Sequence, residues 1–360
     1  MAKRSKKTLK VGVIGVGAIS PIHLNAYQKH PQAELVAIAD ISEANLANAG
    51  EKYGVPADRR FTDFKKMLRC KDLQAVSICT TNWLHAPVAV AALKAGKHVL
   101  TEKPMAMNAV EGQKMIDAAK AKRLKLQVGH NHRFDPESVF AKELIESGKL
   151  GDIYYARVQA VRRRGCPSWG VFGQLDKQGG GAMSDIGVHV IDLTMHLMGH
   201  PRPVAVSGAS YRTIGHKPGH VGMFGVVDHK TYTVEDMAVG FVRFANGATM
   251  HIETSFNANL DKDEFNTYLV GDKGGLSVYP LKVQTELNGH LTDCTPQYVS
   301  AHPMPYPTAS GGHDKSVFSF VDAALNGVPA AIPGTQVILT QKIIDGLFAS
   351  AKTGREVAVK

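Results

Sequence analysis

A strand-like run, Lys10-Val11-Gly12-Val13-Ile14, leads straight into Gly15-Val16-Gly17-Ala18-Ile19-Ser20, and a helix-like run from Ala18 continues to His30. This turn constrains the chain more than any other segment. A tight strand-to-helix reversal leaves backbone N–H groups and the positive end of the helix dipole facing whatever lies above it, which favours an anion. Gly15 permits the turn, and Gly17 lets a pyrophosphate approach the backbone. Ser20 stands where the third glycine of G-x-G-x-x-G packs helix on strand, and a small residue can serve there. We therefore expect a dinucleotide against Gly15, Val16, Gly17, Ala18 and Ile19.

Asp40 ends the next strand-like run, Glu34–Ala39, about twenty residues on. A carboxylate there would bond the adenosine ribose hydroxyls and repel a 2′-phosphate. Ile41 and Ser42 follow, with no adjacent arginine, so NAD is expected over NADP.

The first third of the chain alternates strand-like and helix-like patterns. Ser42 is a plausible cap for a helix to Tyr53. Ala75–Cys79 reads as a strand, then about Ala86–Ala95 as a helix ended by Gly96. His98–Leu100 leads to Lys103, followed by Ala109–Lys122 as helix and Leu124–Val128 as strand. Such alternation implies a parallel, doubly wound sheet covered on both faces. After about residue 132 the pattern changes. Ile153–Val158, Met237–Phe244, Ala248–Phe256 and Asn266–Val270 are strand-like, and Asn246-Gly247 signals a hairpin. The expected class is α/β: residues 1–132 form the dinucleotide domain, with a disordered basic tail over 1–8. Residues 133–360 form an α+β domain on a large, open, mostly antiparallel sheet. His302–Pro307 reads as a loop, and a late helix over 336–352 is expected to pack back towards the first domain.

At 360 residues the length suits two domains, and 44% apolar with 21% charged residues is ordinary for a globular protein. The net charge of +10 is dispersed, and the basic clusters Lys3-Arg4-Ser5-Lys6-Lys7 and Arg162-Arg163-Arg164 lack interleaved aromatics, so nucleic acid is not an expected partner. The four cysteines (Cys70, Cys79, Cys166, Cys294) are far apart, which fits a reducing compartment. No apolar run approaches a membrane span, no secretory core follows the N-terminus, and the chain is read as cytoplasmic.

Two constellations carry chemistry. Lys103, in Thr101-Glu102-Lys103-Pro104, stands at the carboxyl end of a parallel strand, where such sheets bind ligands. It could move a proton or stay charged and hold a substrate oxygen. Gly179-Gly180-Gly181 precedes Ala182-Met183-Ser184-Asp185-Ile186-Gly187-Val188-His189. Asp185 and His189 are four apart on one helical face, beside an apolar stripe of Ile186, Val190, Leu193 and Leu197. The glycines permit close backbone approach to a ligand. The histidine is suited to take a proton, and a nearby carboxylate to orient a substrate. His189, Asp192 and His196 mimic metal-ligand spacing, but no further ligand motif accompanies them and no metal is expected. Asp192 and His196 are read as structural.

The turn at Gly15, the E-K-P segment at Lys103 and the segment from Gly179 to His189, in this order, resemble the Gfo/Idh/MocA family of oxidoreductases. The resemblance spans essentially the whole chain. It implies a Rossmann domain, a second domain whose sheet commonly makes homodimers or homotetramers, and NAD(P)-dependent oxidation or reduction of sugars, inositols and similar polyols. It makes Lys103 the E-K-P lysine, Asp185 the substrate-binding carboxylate and His189 the catalytic histidine. Thr80-Thr81-Asn82-Trp83-Leu84-His85 resembles T-P-N-x-x-H, which lines the cofactor, with Thr81 in place of the proline. Thr80, Thr81, Asn82, His85, Glu102, Lys103 and Asn131 are thus expected at the cofactor. His132, Arg163 and Trp169 join Lys103, Asp185 and His189 as expected substrate contacts. Oxidation of a secondary hydroxyl is the expected reaction. An NAD-recycling, glycosidase-like elimination and a non-catalytic sugar sensor are the alternatives. His313 and Asp314, after Gly311-Gly312, could reach the site or cap a loop.

Overall fold

The computed structural model describes residues 7–299, 306 and 308–359. Most of the basic tail and of the expected loop 302–307 lies outside them. The chain divides into two compact units, Met1–Phe134 with Pro303–Val337, and Asp135–His302 with Ile338–Lys360.

In the first unit the elements are β1 (Leu9–Ile14), α1 (Ser20–Lys29), β2 (Ala33–Ala39), α2 (Glu43–Tyr53), β3 (Arg60–Phe61), α3 (Phe64–Leu68), β4 (Ala75–Ile78), α4 (Asn82–Lys94), β5 (His98–Thr101), α5 (Ala109–Lys122) and β6 (Leu126–Val128). The six strands form one parallel sheet in the order β3-β2-β1-β4-β5-β6. Val11, Val13, Ala75, Val76, Val99 and Leu100 are fully buried, as strands covered on both faces require. Ser42 caps α2 by accepting from the Asn45 N–H, and Gly54 ends that helix at φ 70°. Connections leave β1 towards β2 on one side and reach β4 on the other. The carboxyl ends of β1 and β4 therefore mark the switch point where such sheets bind ligands.

The first unit also recruits a later helix, Gly312–Asn326, whose Val317, Phe318, Phe320 and Val321 are buried with Leu24 and Tyr27 of α1 in one cluster. A second domain running unbroken from 133 to 360 does not foresee this return of the chain.

The second unit carries a nine-stranded sheet containing Ile153–Val161, Pro203–Tyr211, Met237–Phe244, Thr249–Ser255 and Glu264–Gly271. Among the described strands, the pairing of Ile153–Val161 with Thr249–Ser255 is parallel and the other pairings in this sheet are antiparallel. Its core gathers Val158, Ile191, Met250, Ile252 and Phe256 with Ile343, Ile344 and Leu347. Those last three belong to the late helix, which spans Gly334–Thr353. Its first residues, to Val337, are part of the first unit, and from Ile338 onwards it is part of the second.

Candidate active site

The glycine turn has the geometry its sequence demands. Gly15 has φ +85°, and a Cβ there would lie 2.7 Å from the Cys79 carbonyl oxygen, so no other residue fits. That contact also shows how tightly the turn abuts the end of β4. A Cβ on Gly17 would meet nothing within 4 Å, which leaves open space over the turn. No side chain caps α1, whose first turn includes Pro21. A pyrophosphate fits this arrangement, with an uncapped helix start beneath open backbone. Ser20 is buried in place of the third glycine, and its hydroxyl donates to the Gly17 carbonyl at 2.8 Å.

Asp40 is tied to the same turn. Its Oδ2 accepts from Val16 N at 2.8 Å and its Oδ1 from Ser42 N at 2.9 Å. These bonds aim the carboxylate at the rim of the turn and leave each oxygen a further lone pair for a ribose hydroxyl.

Thr80–His85 forms the cap and first turn of α4, which starts at Asn82, four residues earlier than expected. Thr81 caps the helix at φ −70° and ψ 152°. That φ lies in the range a proline imposes, so replacing the family's proline leaves the backbone path unchanged. His85 is buried, with Nδ1 at 2.7 Å from the Pro104 carbonyl and Nε2 at 3.1 Å from that of Thr80. Burial holds its pKa down, against the pull of those two carbonyls. It clamps the α4 turn to the Lys103–Pro104 segment, with both ring nitrogens against backbone carbonyls.

Glu102 also turns inward. It is 6% exposed, its Oε1 lies 2.8 Å from His23 Nε2, and its Oε2 accepts from the Lys103 backbone N–H at 3.3 Å. Burial would raise its carboxyl, but the His23 hydrogen bond and the charges of His23, Lys103 and His313 hold it well below the usual range. Asn131 is buried in a short 3-10 turn, Asn131–Phe134, after β6, and the neighbouring His132 is partly exposed. Asp314 is a cap: it binds Lys29 at 2.8 Å and the Ser310 hydroxyl at 2.7 Å.

In the second unit, Met183–Gly187 is a π-helical turn running into the helix Val188–Leu197. Such turns favour functional sites. From Gly180 to Met195 every residue is buried except Asp185 and His189. Two polar side chains thus emerge, four apart, from a helix whose other faces are packed. Asp192 is 1% exposed, in keeping with a structural role, and the described residues hold no group of metal-ligating side chains.

The triple glycine serves a different purpose from the one the sequence suggested. A Cβ on Gly181 would lie 2.4 Å from the Glu235 carbonyl oxygen, and one on Gly180 would meet Ser184 and Phe348. Close approach to the protein itself, not to a ligand, requires these glycines. The buried Glu235 then fastens the segment: its carboxylate accepts from Gly181 N at 2.7 Å and from Met183 N at 3.0 Å. Burial pushes the Glu235 carboxyl up, and the two backbone N–H groups pull it part of the way back. Its neighbour Asp236 accepts from the backbone N–H groups of Ile214 and Gly215, from Tyr232 OH and from Asn257 Nδ2. Neither carboxylate stood out in the sequence. A readable signal was the adjacent acidic pair immediately before an apolar strand.

Arg163 is occupied: it pairs with Asp263 at 3.2 Å and donates to the Asp261 carbonyl at 3.0 Å. Arg164 bonds Asn259 and the Ala258 carbonyl. Arg163 thus staples its loop to residues 261 and 263. Trp169 is 48% exposed and packs edge-on against Phe224 and Phe172.

A parallel sheet with this strand order and this glycine turn defines a dinucleotide-binding Rossmann domain. Residues 9–130 match the family model described as "Oxidoreductase family, NAD-binding Rossmann fold", and residues 142–359 match "Oxidoreductase family, C-terminal alpha/beta domain". The chain belongs to the Gfo/Idh/MocA family of oxidoreductases. It is 33% identical to D-glucoside 3-dehydrogenase of Escherichia coli over 97% of each chain. It is 32% identical to levoglucosan dehydrogenase of Pseudarthrobacter phenanthrenivorans, over 78% of this chain and 76% of the relative. A solved levoglucosan dehydrogenase in complex with NADH and levoglucosan superimposes with a TM-score of 0.84 at 26% identity, covering 98% of this chain and 100% of that one.

Proposed function

We propose that the protein is an NAD-dependent dehydrogenase that oxidises a ring secondary hydroxyl of a sugar or related cyclic polyol, with a D-glucoside as the first substrate class to test. The observation that carries the reading is the emergence of Asp185 and His189 alone from the buried run Gly180–Met195. The likeness to D-glucoside 3-dehydrogenase along nearly the whole of both chains supports the substrate class. The carboxylate of Asp40, braced by Val16 and Ser42, supports NAD over NADP.

When bound, the nicotinamide supplies the acceptor for the hydride that leaves the carbinol carbon. This chain's residues do the rest. The Lys103 ammonium holds the substrate oxygen and stabilises the negative charge that develops on it. His189 takes the hydroxyl proton as the C–O bond becomes a carbonyl, and Asp185 binds a neighbouring hydroxyl and fixes which carbon reacts. Glu102 and His85 shape the ground beneath Lys103. Thr80, Thr81, Asn82, Asn131 and His132 supply the cofactor and substrate surroundings. Homodimers or homotetramers through the second unit's sheet complete the reading.

The test is turnover of methyl β-D-glucopyranoside, levoglucosan and myo-inositol with NAD and with NADP, followed by NADH or NADPH absorbance. His189→Ala and Lys103→Ala should each lower kcat at least roughly 10²-fold with NADH affinity intact. Near-wild-type turnover in both variants would refute the roles given to these residues.

A further inference from the structure

His23 is a histidine the mechanism does not use, yet it stands at the centre of a buried polar cluster. It is 2% exposed. Its Nδ1 lies 3.1 Å from Ser77 Oγ, and Ser77 in turn lies 2.6 Å from the Tyr27 hydroxyl. Its Nε2 lies 2.8 Å from Glu102 Oε1, and the other oxygen of that carboxylate accepts from the backbone N–H of Lys103 at 3.3 Å. The helix that opens at the glycine turn is thereby joined, through one carboxylate, to the residue that carries the working ammonium. Gly129 seals the arrangement, because a Cβ there would come within 2.7 Å of Glu102 Oε1.

A buried carboxylate and imidazole at this distance are kept as an ion pair, since either charge alone would be costly in the interior. Burial disfavours the charged imidazole, while Cys79 and Glu102 favour it; the net direction is upward. Burial pushes the Cys79 thiol up, so near neutral pH it is uncharged and Glu102 is the partner that keeps His23 protonated. Tyr27, Cys79, His85, Lys103 and His313 are the other titratable groups around the pair.

We propose that His23 is a positioning residue: the His23–Glu102 pair fixes the backbone and charge environment of Lys103 and so sets where the ammonium meets the substrate oxygen. The proposal rests on the role given to Lys103 above. Misplacement of a reacting group by about 1 Å costs roughly 10²-fold in rate.

The experiment is a double-mutant cycle on the full-length enzyme. His23→Gln, Glu102→Gln, Lys103→Ala and the two double variants are assayed with methyl β-D-glucopyranoside and NAD, with NADH binding followed by fluorescence. Carbon-13 reductive methylation reports on Lys103, its signal assigned by loss in Lys103→Arg. His23→Gln and Glu102→Gln should each lower kcat by about 10–10²-fold with NADH affinity unchanged. They should shift the Lys103 signal and its titration, and add almost nothing on top of Lys103→Ala. An equal penalty with and without Lys103, or an unmoved Lys103 signal, overturns the proposal. Wild-type kcat in Lys103→Ala instead refutes the role of Lys103, and the methylation signal alone then decides whether the pair positions it. Should His23→Gln fail to fold, Glu102→Gln reads the same pair from its other side.

Discussion

Replacing Glu235 by glutamine tests how the second unit presents its two polar side chains. The Glu235 carboxylate accepts from Gly181 N and Met183 N at the start of the segment that carries Asp185 and His189. Glutamine keeps one acceptor oxygen and turns an NH₂ towards the other N–H, so one hydrogen bond to a charged acceptor is lost, worth about 1.5–3 kcal/mol. Burial of the charge outweighs what the two N–H groups return, so its relief offsets much of this, and the net loss should be about 0.5–1.5 kcal/mol. For a domain of this size that lowers the melting midpoint by roughly 1–6 °C. Because the freed N–H belongs to the segment that carries Asp185, kcat should fall by about 10–10²-fold. The dinucleotide cradle lies in the other unit, so NADH affinity should stay as in the wild type. Calorimetry, steady-state kinetics and NADH titration check the three expectations. Wild-type stability together with wild-type kcat would show that the Glu235 tie does not hold the segment.

Other expectations follow from particular contacts. Replacing Asp40 by serine and Ile41 by arginine removes a carboxylate and adds a cation beside the ribose site. The ratio of NADP to NAD catalytic efficiency should rise by about 10–10²-fold, read from kcat/KM for each cofactor. Gly15→Ala places a side chain at φ +85° and against the Cys79 carbonyl, so NADH binding should be lost in fluorescence titration. The His23–Glu102 pair makes stability depend on pH in a defined sense. The depressed Glu102 value means its contribution is present above about 4.5 and is lost as pH falls towards 2. The raised His23 value means its contribution is present below 6.5 and is lost as pH rises above it. Denaturant melts from acid to alkaline pH should show the wild type's advantage over Glu102→Gln greatest between about 4.5 and 6.5 and narrowing on both sides.

Much of this was legible in the chain. The helix expected over Ala109–Lys122 and the strand expected over Met237–Phe244 both appear with those bounds, because their patterns and ends carry local signals. The glycine turn was legible because Gly15 is needed by backbone geometry alone. Local signals fail where the reason for a residue is remote. The helix Gly312–Asn326 packs its Phe318 and Phe320 against the first unit, and no local pattern says which unit has apolar surface left to cover. Gly180 and Gly181 are small because Phe348 and Glu235 crowd them from far along the chain. Arg163 was expected at the substrate, and no local pattern reveals that Asp263, a hundred residues on, stands beside it. His23 lay in a helix whose importance was seen, but its partner Glu102 is 79 residues away.

The most direct test of the account is the stoichiometry of product formation with NAD and methyl β-D-glucopyranoside. The account predicts one NADH for each keto-glycoside formed, with the glycosidic bond intact, and loss of both products together in His189→Ala. Release of methanol without net NADH, or no keto product from any of the sugars and polyols tested, would contradict it.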